Sequence, residues 1–178
     1  MQHKILFAGP VGAGKTTAIA SVSDVPVAQT EARASDEVAE RKSRTTVAMD
    51  YGRLRIDDQV SIQLVGTPGQ PRFDFMWDIL AEGAIGLVLL IDNARPAPFD
   101  DLAYYLHAFR RTIAEQGVAL VVGITRSDLA QYPSIADYRE FMRRNGHAFP
   151  VFEVDARRRD DIKLMLLALV ATLDPSTG

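Results

Sequence analysis

Gly9-Pro10-Val11-Gly12-Ala13-Gly14-Lys15-Thr16 reads G-x-x-x-x-G-K-T, the spacing of a phosphate-binding P-loop. Its surroundings agree. Ile5-Leu6-Phe7-Ala8 is a short apolar run that predicts a buried strand, and Thr16-Thr17-Ala18-Ile19-Ala20 can open a helix over 15–22. Strand, glycine loop and helix together turn the spacing into a mechanism. A nucleoside triphosphate carries several negative charges in a small volume. Loop N–H groups and a helix N-terminus can surround it with donors. Glycines at 9, 12 and 14 remove Cβ atoms that would block that approach. Lys15 is placed to reach the β and γ phosphates and Thr16 to put a hydroxyl on Mg²⁺. Gly9, Gly12, Ala13, Gly14, Lys15, Thr16 and Thr17 are therefore the expected phosphate contacts. A glycine-rich turn with a purely structural role has no need of Lys-Thr in that register.

The chain has 178 residues, enough for one domain with a core, and a single domain over 1–178 is expected. Hydrophobic residues make up 47%, which argues against disorder, and a net charge of −3 argues against general nucleic-acid binding. With no cysteine there are no disulfides, Cys-ligated metals or thiol chemistry. Met1-Gln2-His3-Lys4 shows no signal-peptide pattern, and the longest apolar run, Ala84 to Ile91, is too short to span a bilayer. A soluble cytoplasmic protein is expected.

The remaining elements alternate. Asp24 to Arg44 is polar and without apolar periodicity, a length unusual in a compact domain unless functional. Ala32 to Arg41 within it could form an exposed helix. Val47 to Ile56 and Val60 to Val65 read as an antiparallel hairpin turning at Asp57-Asp58-Gln59. Gly66-Thr67-Pro68-Gly69-Gln70 is a breaker-rich loop before a helix over Phe73–Ala81. Ile85 to Ile91 reads as a central strand covered on both faces. One helix over Phe99–Glu115, a strand over Val118–Ile124, a helix over Ser134–Asn145, a strand over Phe149–Val154 and a helix over Asp160–Leu173 complete the pattern. The prediction is an α/β P-loop NTPase fold: a six-stranded, mostly parallel sheet with one antiparallel strand and helices on both faces. The loops after the strands, including 66–70, Thr125–Asp128 and Asp155–Arg157, converge on one sheet edge.

In this order the motifs resemble the Ras-like small GTPases. Arg44-Thr45-Thr46-Val47-Ala48-Met49-Asp50-Tyr51-Gly52 and Gly66-Thr67-Pro68-Gly69-Gln70-Pro71-Arg72-Phe73 are similar to the bacterial branch that includes the polarity protein MglA and the conservon-type GTPases. The resemblance covers nearly the whole chain. It implies GTP and GDP as ligands, Mg²⁺ as cofactor and slow GTP hydrolysis; a nucleotide-loaded interaction module with negligible turnover, which Gly66 and Val11 favour, and an ATP-using P-loop protein are the alternatives. Thr46 resembles the switch I threonine, a contact to Mg²⁺ and the γ-phosphate, with Thr45 the alternative one residue away. Gly69 would give its N–H to the γ-phosphate and Gln70 would orient the attacking water. Gly66 stands where the family has an aspartate that holds Mg²⁺ through water; Asp92, at the end of the next strand, is either a substitute or a loop cap. Thr125-Arg126-Ser127-Asp128 takes the place of the base motif. Asp128 would accept from guanine N1–H and the exocyclic amine, and Arg126 would lie on the base face. Asp155-Ala156-Arg157 resembles the last base loop, where the alanine N–H meets guanine O6. Val11 stands where many relatives have glycine and would crowd the attacking water. Arg44 is the candidate for an internal arginine finger, with Arg41 and Arg72 as alternatives. The resemblance further implies a roadblock-type activator, effectors at residues 35–50 and 66–82, and a role in bacterial signalling or polarity.

No second chemistry competes. His3, His107 and His147 are scattered, and the paired aspartates at 57–58, 100–101 and 160–161 fall in a turn and at helix starts. Trp77 with Phe73, Phe75 and Met76 is either core or a partner surface.

Overall fold

The computed structural model describes residues 2–33 and 46–173. Seven strands form one sheet: β1 (Gln2–Ala8), β2 (Ala28–Arg33), β3 (Thr46–Arg55), β4 (Ser61–Gly66), β5 (Gly86–Asp92), β6 (Ala119–Thr125) and β7 (Val151–Glu153), in the order β2-β3-β4-β1-β5-β6-β7. β3 runs antiparallel to both its neighbours, and the pairs from β4 to β7 are parallel. The single antiparallel strand is as expected, but the count is seven and not six. The additional strand is Ala28-Gln29-Thr30-Glu31-Ala32-Arg33. Among the described residues it forms the sheet edge, paired only with β3, from Ala28 opposite Tyr51 to Arg33 opposite Thr46. An edge strand can be polar, because charged side chains there discourage pairing with another chain. Ala32 and Arg33 are thus strand rather than the start of an exposed helix; the rest of that helix, to Arg41, lies outside the described residues.

Six helices cover the sheet: α1 (Lys15–Val22), α2 (Phe75–Ala81), α3 (Pro98–Ala108), α4 (Arg110–Gln116), α5 (Ile135–Arg144) and α6 (Arg159–Leu173). The one helix expected over 99–115 is two, broken at the buried Phe109. Alternate residues of the inner strands serve opposite faces. Leu6, Leu87, Leu89, Ile91 and Val122 pack with Trp77, Leu102, Tyr105 and Tyr138 from α2, α3 and α5. Ile5, Phe7, Val88, Leu90 and Val121 pack with Ile19 of α1 and Ile162, Met165 and Leu169 of α6. Burial on both faces explains why β5 reads as an unbroken apolar run. Among the described residues no helix is long and apolar enough to cross a membrane.

The parallel strands all end at the same edge, and a polar network fixes two loops there. Asn93, just past β5, donates its amide to the carbonyls of Ala130 (2.6 Å) and Pro133 (3.0 Å). Its Oδ1 accepts the buried Tyr138 hydroxyl at 2.7 Å. Ser134 and Asp137 form a capping box that starts α5 beside it. Tyr138→Phe leaves the Asn93 oxygen without that donor inside the protein. Its expected cost is about 1–3 kcal/mol in unfolding free energy, read as a lower urea midpoint with unchanged slope.

Candidate functional site

The P-loop leaves β1 and turns into α1 through three glycines with positive φ, Gly9, Gly12 and Gly14. Gly9 has φ 141°, and a Cβ there would lie 2.1 Å from the Leu90 carbonyl oxygen. Gly14, at φ 99°, is the residue before α1. No side chain caps α1 and no acidic residue sits in its first turn. Its first N–H groups and the positive end of its dipole are left for an anion. Lys15 is buried and donates its ammonium to the carbonyls of Gly9 (2.7 Å) and Pro10 (2.8 Å). Burial pulls its pKa down to about 8, against a smaller upward pull from Asp50. The Thr16 hydroxyl donates to the Asp50 carboxylate on β3. Gly12 and Thr17 are exposed and Ala13 is buried beneath them.

The loop after β4 lies against this cradle. A Cβ on Gly69 would come 2.7 Å from the Lys15 ammonium and 2.8 Å from the Val11 amide nitrogen, so no larger residue fits without displacing one of them. The loop is held from both sides. Thr67 donates its N–H to Phe7 at 2.8 Å. The Trp77 indole N–H donates to the Pro68 carbonyl at 3.0 Å, and the Tyr105 hydroxyl to the Gly69 carbonyl at 3.1 Å. Burial pushes the Tyr105 phenol up, which keeps it a proton donor. Trp77 stacks on Tyr105 and Phe109 at 4.9 and 5.3 Å, and it is 2% exposed. Of the aromatic cluster near Gln70, Phe73, Met76 and Trp77 are core, while Phe75 is 49% exposed. Gln70 is exposed at the start of a single 3₁₀ turn, Pro71–Phe73.

A cleft of about 700 Å³ opens on the other side of the P-loop, lined by Ala13, Gly14, Thr17, Thr125 to Leu129 and Glu153 to Arg158, with Asp161. The buried Thr125 hydroxyl donates to the Ala13 carbonyl at 2.9 Å, tying the end of β6 to the P-loop. Arg126 takes a left-handed turn, φ 59°, and its guanidinium lies 3.3 Å from the Asp92 carboxylate. The turn leaves Asp128 exposed at the cleft. Arg157 grips Asp155 through 2.7 and 2.9 Å bonds and pulls its carboxyl down to about 2. Ala156 is buried, and its Cβ lies close over Gly14.

The sequence-predicted phosphate residues, Gly69, Thr125, Asp128, Ala156 and Arg157 therefore gather along one edge. Thr46 sits at the start of β3, four residues from Asp50, which faces Gly66. Thr45, Arg41 and Arg44 lie outside the described residues. Asp92, weighed as a metal substitute, accepts the Ala94 N–H at 2.9 Å and pairs with Arg126; it is a loop cap. Sequence reasoning missed Tyr105 as a loop anchor and Asp50 as the neighbour of Thr16. Both contacts join residues more than thirty apart, and no local pattern marks them.

A family described as "Conserved hypothetical ATP binding protein" matches residues 27–166. The chain belongs to that family. The match starts beyond the P-loop, so it is separate support for the same fold. Among curated proteins the chain is 23% identical to the Ras-related protein Rab-10 of Caenorhabditis elegans, over 88% of this chain and 73% of that protein. It is 23% identical to the Ras-related protein RABA6b of Arabidopsis thaliana, over 74% of this chain and 58% of that one. It is also 30% identical to an uncharacterised protein of Methanocaldococcus jannaschii, over 55% of this chain and 56% of that protein. The chain is a nucleotide-binding P-loop protein with weak Ras-like similarity.

The Lys15 environment makes nucleotide binding pH-dependent. Phosphate beside the ammonium restores its charge, so the bound pKa lies above the free value of about 8. Binding then takes up a proton between the two values. Affinity is full below about pH 8 and falls by up to about tenfold per pH unit above it. Fluorescent GDP titrated from pH 7 to 10 in chelator checks this; Lys15→Ala binds weakly throughout, with no such fall.

Proposed function

We propose that this protein is a guanine-nucleotide switch that hydrolyses GTP to GDP slowly. The observation that carries the reading is the Thr125–Ala13 bond, which joins the Asp128 loop to the phosphate cradle across one cleft. A base beside Asp128 and phosphates on Lys15 can then belong to one ligand. The exposed Asp128 carboxylate matches the two donors on the guanine edge, a pair that adenine lacks. The Ala156 N–H is the complementary donor for O6. The Ras-related relatives support the same reading.

The oxygen donors at the start of α1 suit a hard cation. Mg²⁺ is bound by one or two protein groups together with substrate phosphates, and Thr16, with Thr46 from switch I, would hold it here. When bound it draws negative charge from the β- and γ-phosphate oxygens. Lys15 neutralises the same oxygens. Gly69 offers its N–H to the γ-phosphate, and Gln70 orients a water whose oxygen attacks phosphorus as the bond to the β-phosphate oxygen breaks. Val11, 58% exposed at the loop tip, crowds that water and supports slow unaided turnover. Positive charge from Arg44, or from a partner, would complete transition-state stabilisation. Residues 35–50 and 66–82 would report the nucleotide state to effectors. The resemblance to the MglA and conservon-type branch extends the proposal to a roadblock-type activator in bacterial signalling or polarity.

A second reading is ATP binding, favoured by the family's printed description. Titration with fluorescent GTP, GDP and ATP analogues separates the two. Guanine nucleotides are expected to bind and ATP to be excluded. Asp128→Ala then weakens GDP roughly 10- to 100-fold, the loss of two charge-assisted hydrogen bonds. Equal or tighter ATP binding, unchanged in Asp128→Ala, overturns the guanine reading in favour of the second.

A further inference from the structure

Gly66 and Asp50 face each other across the antiparallel β3–β4 pair. A Cβ built on Gly66 would come 3.1 Å from the Asp50 Cβ and 3.2 Å from its Oδ2. The Asp50 side chain therefore leans over Gly66 and fills the space a side chain at 66 would enter. Its carboxylate accepts the hydroxyl of Thr16, the threonine that ends the P-loop motif. Its charge also reaches Lys15. One carboxylate thus serves both polar side chains that follow the P-loop glycines, and it arrives from the strand next to the one where the family's metal aspartate is missing.

We propose that Asp50 is the carboxylate of the Mg²⁺ site, delivered from β3 across the gap left by Gly66. The inference rests on the nucleotide reading above. A threonine hydroxyl has one proton and two lone pairs. Donating the proton to Asp50 fixes the hydroxyl rotor and turns the lone pairs outward, toward a cation. A carboxylate in that position also accepts from the waters that Mg²⁺ retains. Outer partners of this kind orient metal ligands and tune affinity. Asp92 has other partners at the end of β5, the Ala94 N–H and the Arg126 guanidinium. Glycine at 66 is then a requirement of the arrangement: a second carboxylate there would crowd the first and add like charge.

The test is the release of fluorescent GDP from the full chain, chased with unlabelled GDP across a range of Mg²⁺ concentrations and in chelator. In the native protein Mg²⁺ slows release. Asp50→Asn is expected to raise the Mg²⁺ concentration for half-maximal slowing by about 10- to 100-fold, and its binding of GDP in chelator shows that the P-loop is folded. The exchange variant Asp50→Gly with Gly66→Asp returns a carboxylate from the other strand and recovers most of the response. An Asp50→Asn protein that responds at the native Mg²⁺ concentration overturns the proposal. So does an exchange variant that binds GDP in chelator and ignores Mg²⁺. Native protein that holds GDP with release indifferent to Mg²⁺ overturns it too, while leaving the nucleotide reading intact. Native protein that binds neither GDP nor GTP overturns that reading itself.

Discussion

A buried ammonium is the constraint on which the site depends. A cation out of water must be solvated by the protein. Lys15 meets that need with two carbonyl oxygens of its own loop, Gly9 and Pro10, and with the field of Asp50. Bending the loop back far enough to present those carbonyls requires a backbone at Gly9 that would drive a Cβ into the Leu90 carbonyl. The same bend leaves the start of α1 uncapped. The compensation is partial, since burial still lowers the Lys15 pKa, and phosphate would complete it. Shape and charge at this end of the sheet thus have one origin.

The two loops beside the cradle are built differently. The loop after β6 is braced by neutral hydrogen bonds deep in the fold, through Thr125 to Ala13 and through Asn93 to Ala130, Pro133 and Tyr138. The loop after β4 is held by its carbonyls, gripped from outside by Trp77 and Tyr105. One loop is thus tied from within the fold and the other through its own carbonyls, and both meet the P-loop.

Much of this was legible in the chain. The P-loop, the hairpin turning at Asp57 and the fully apolar β5 each follow from local spacing, because glycine placement and side-chain alternation are local properties. What was not legible depends on tertiary pairing. β2 carries no apolar pattern, as an edge strand need not, and its pairing with β3 is a tertiary contact. The break at Phe109 carries no glycine or proline; a buried aromatic between two short helices looks, in sequence, like one longer helix. Asp92 stood out as an acid at the end of the next strand, near in the fold to the position of Gly66. The acid that meets Thr16 is Asp50, brought there by a strand register that no spacing within β3 announces.

Trp77 is the chain's only tryptophan, and its indole nitrogen is bonded to the loop that meets the P-loop. Its ring is buried and stacks on Tyr105 and Phe109. The emission of an indole depends on whether its N–H is bonded and on the polarity around it. The ultraviolet fluorescence of the protein therefore reports, without any attached dye, on the one bond between Trp77 and the Pro68 carbonyl.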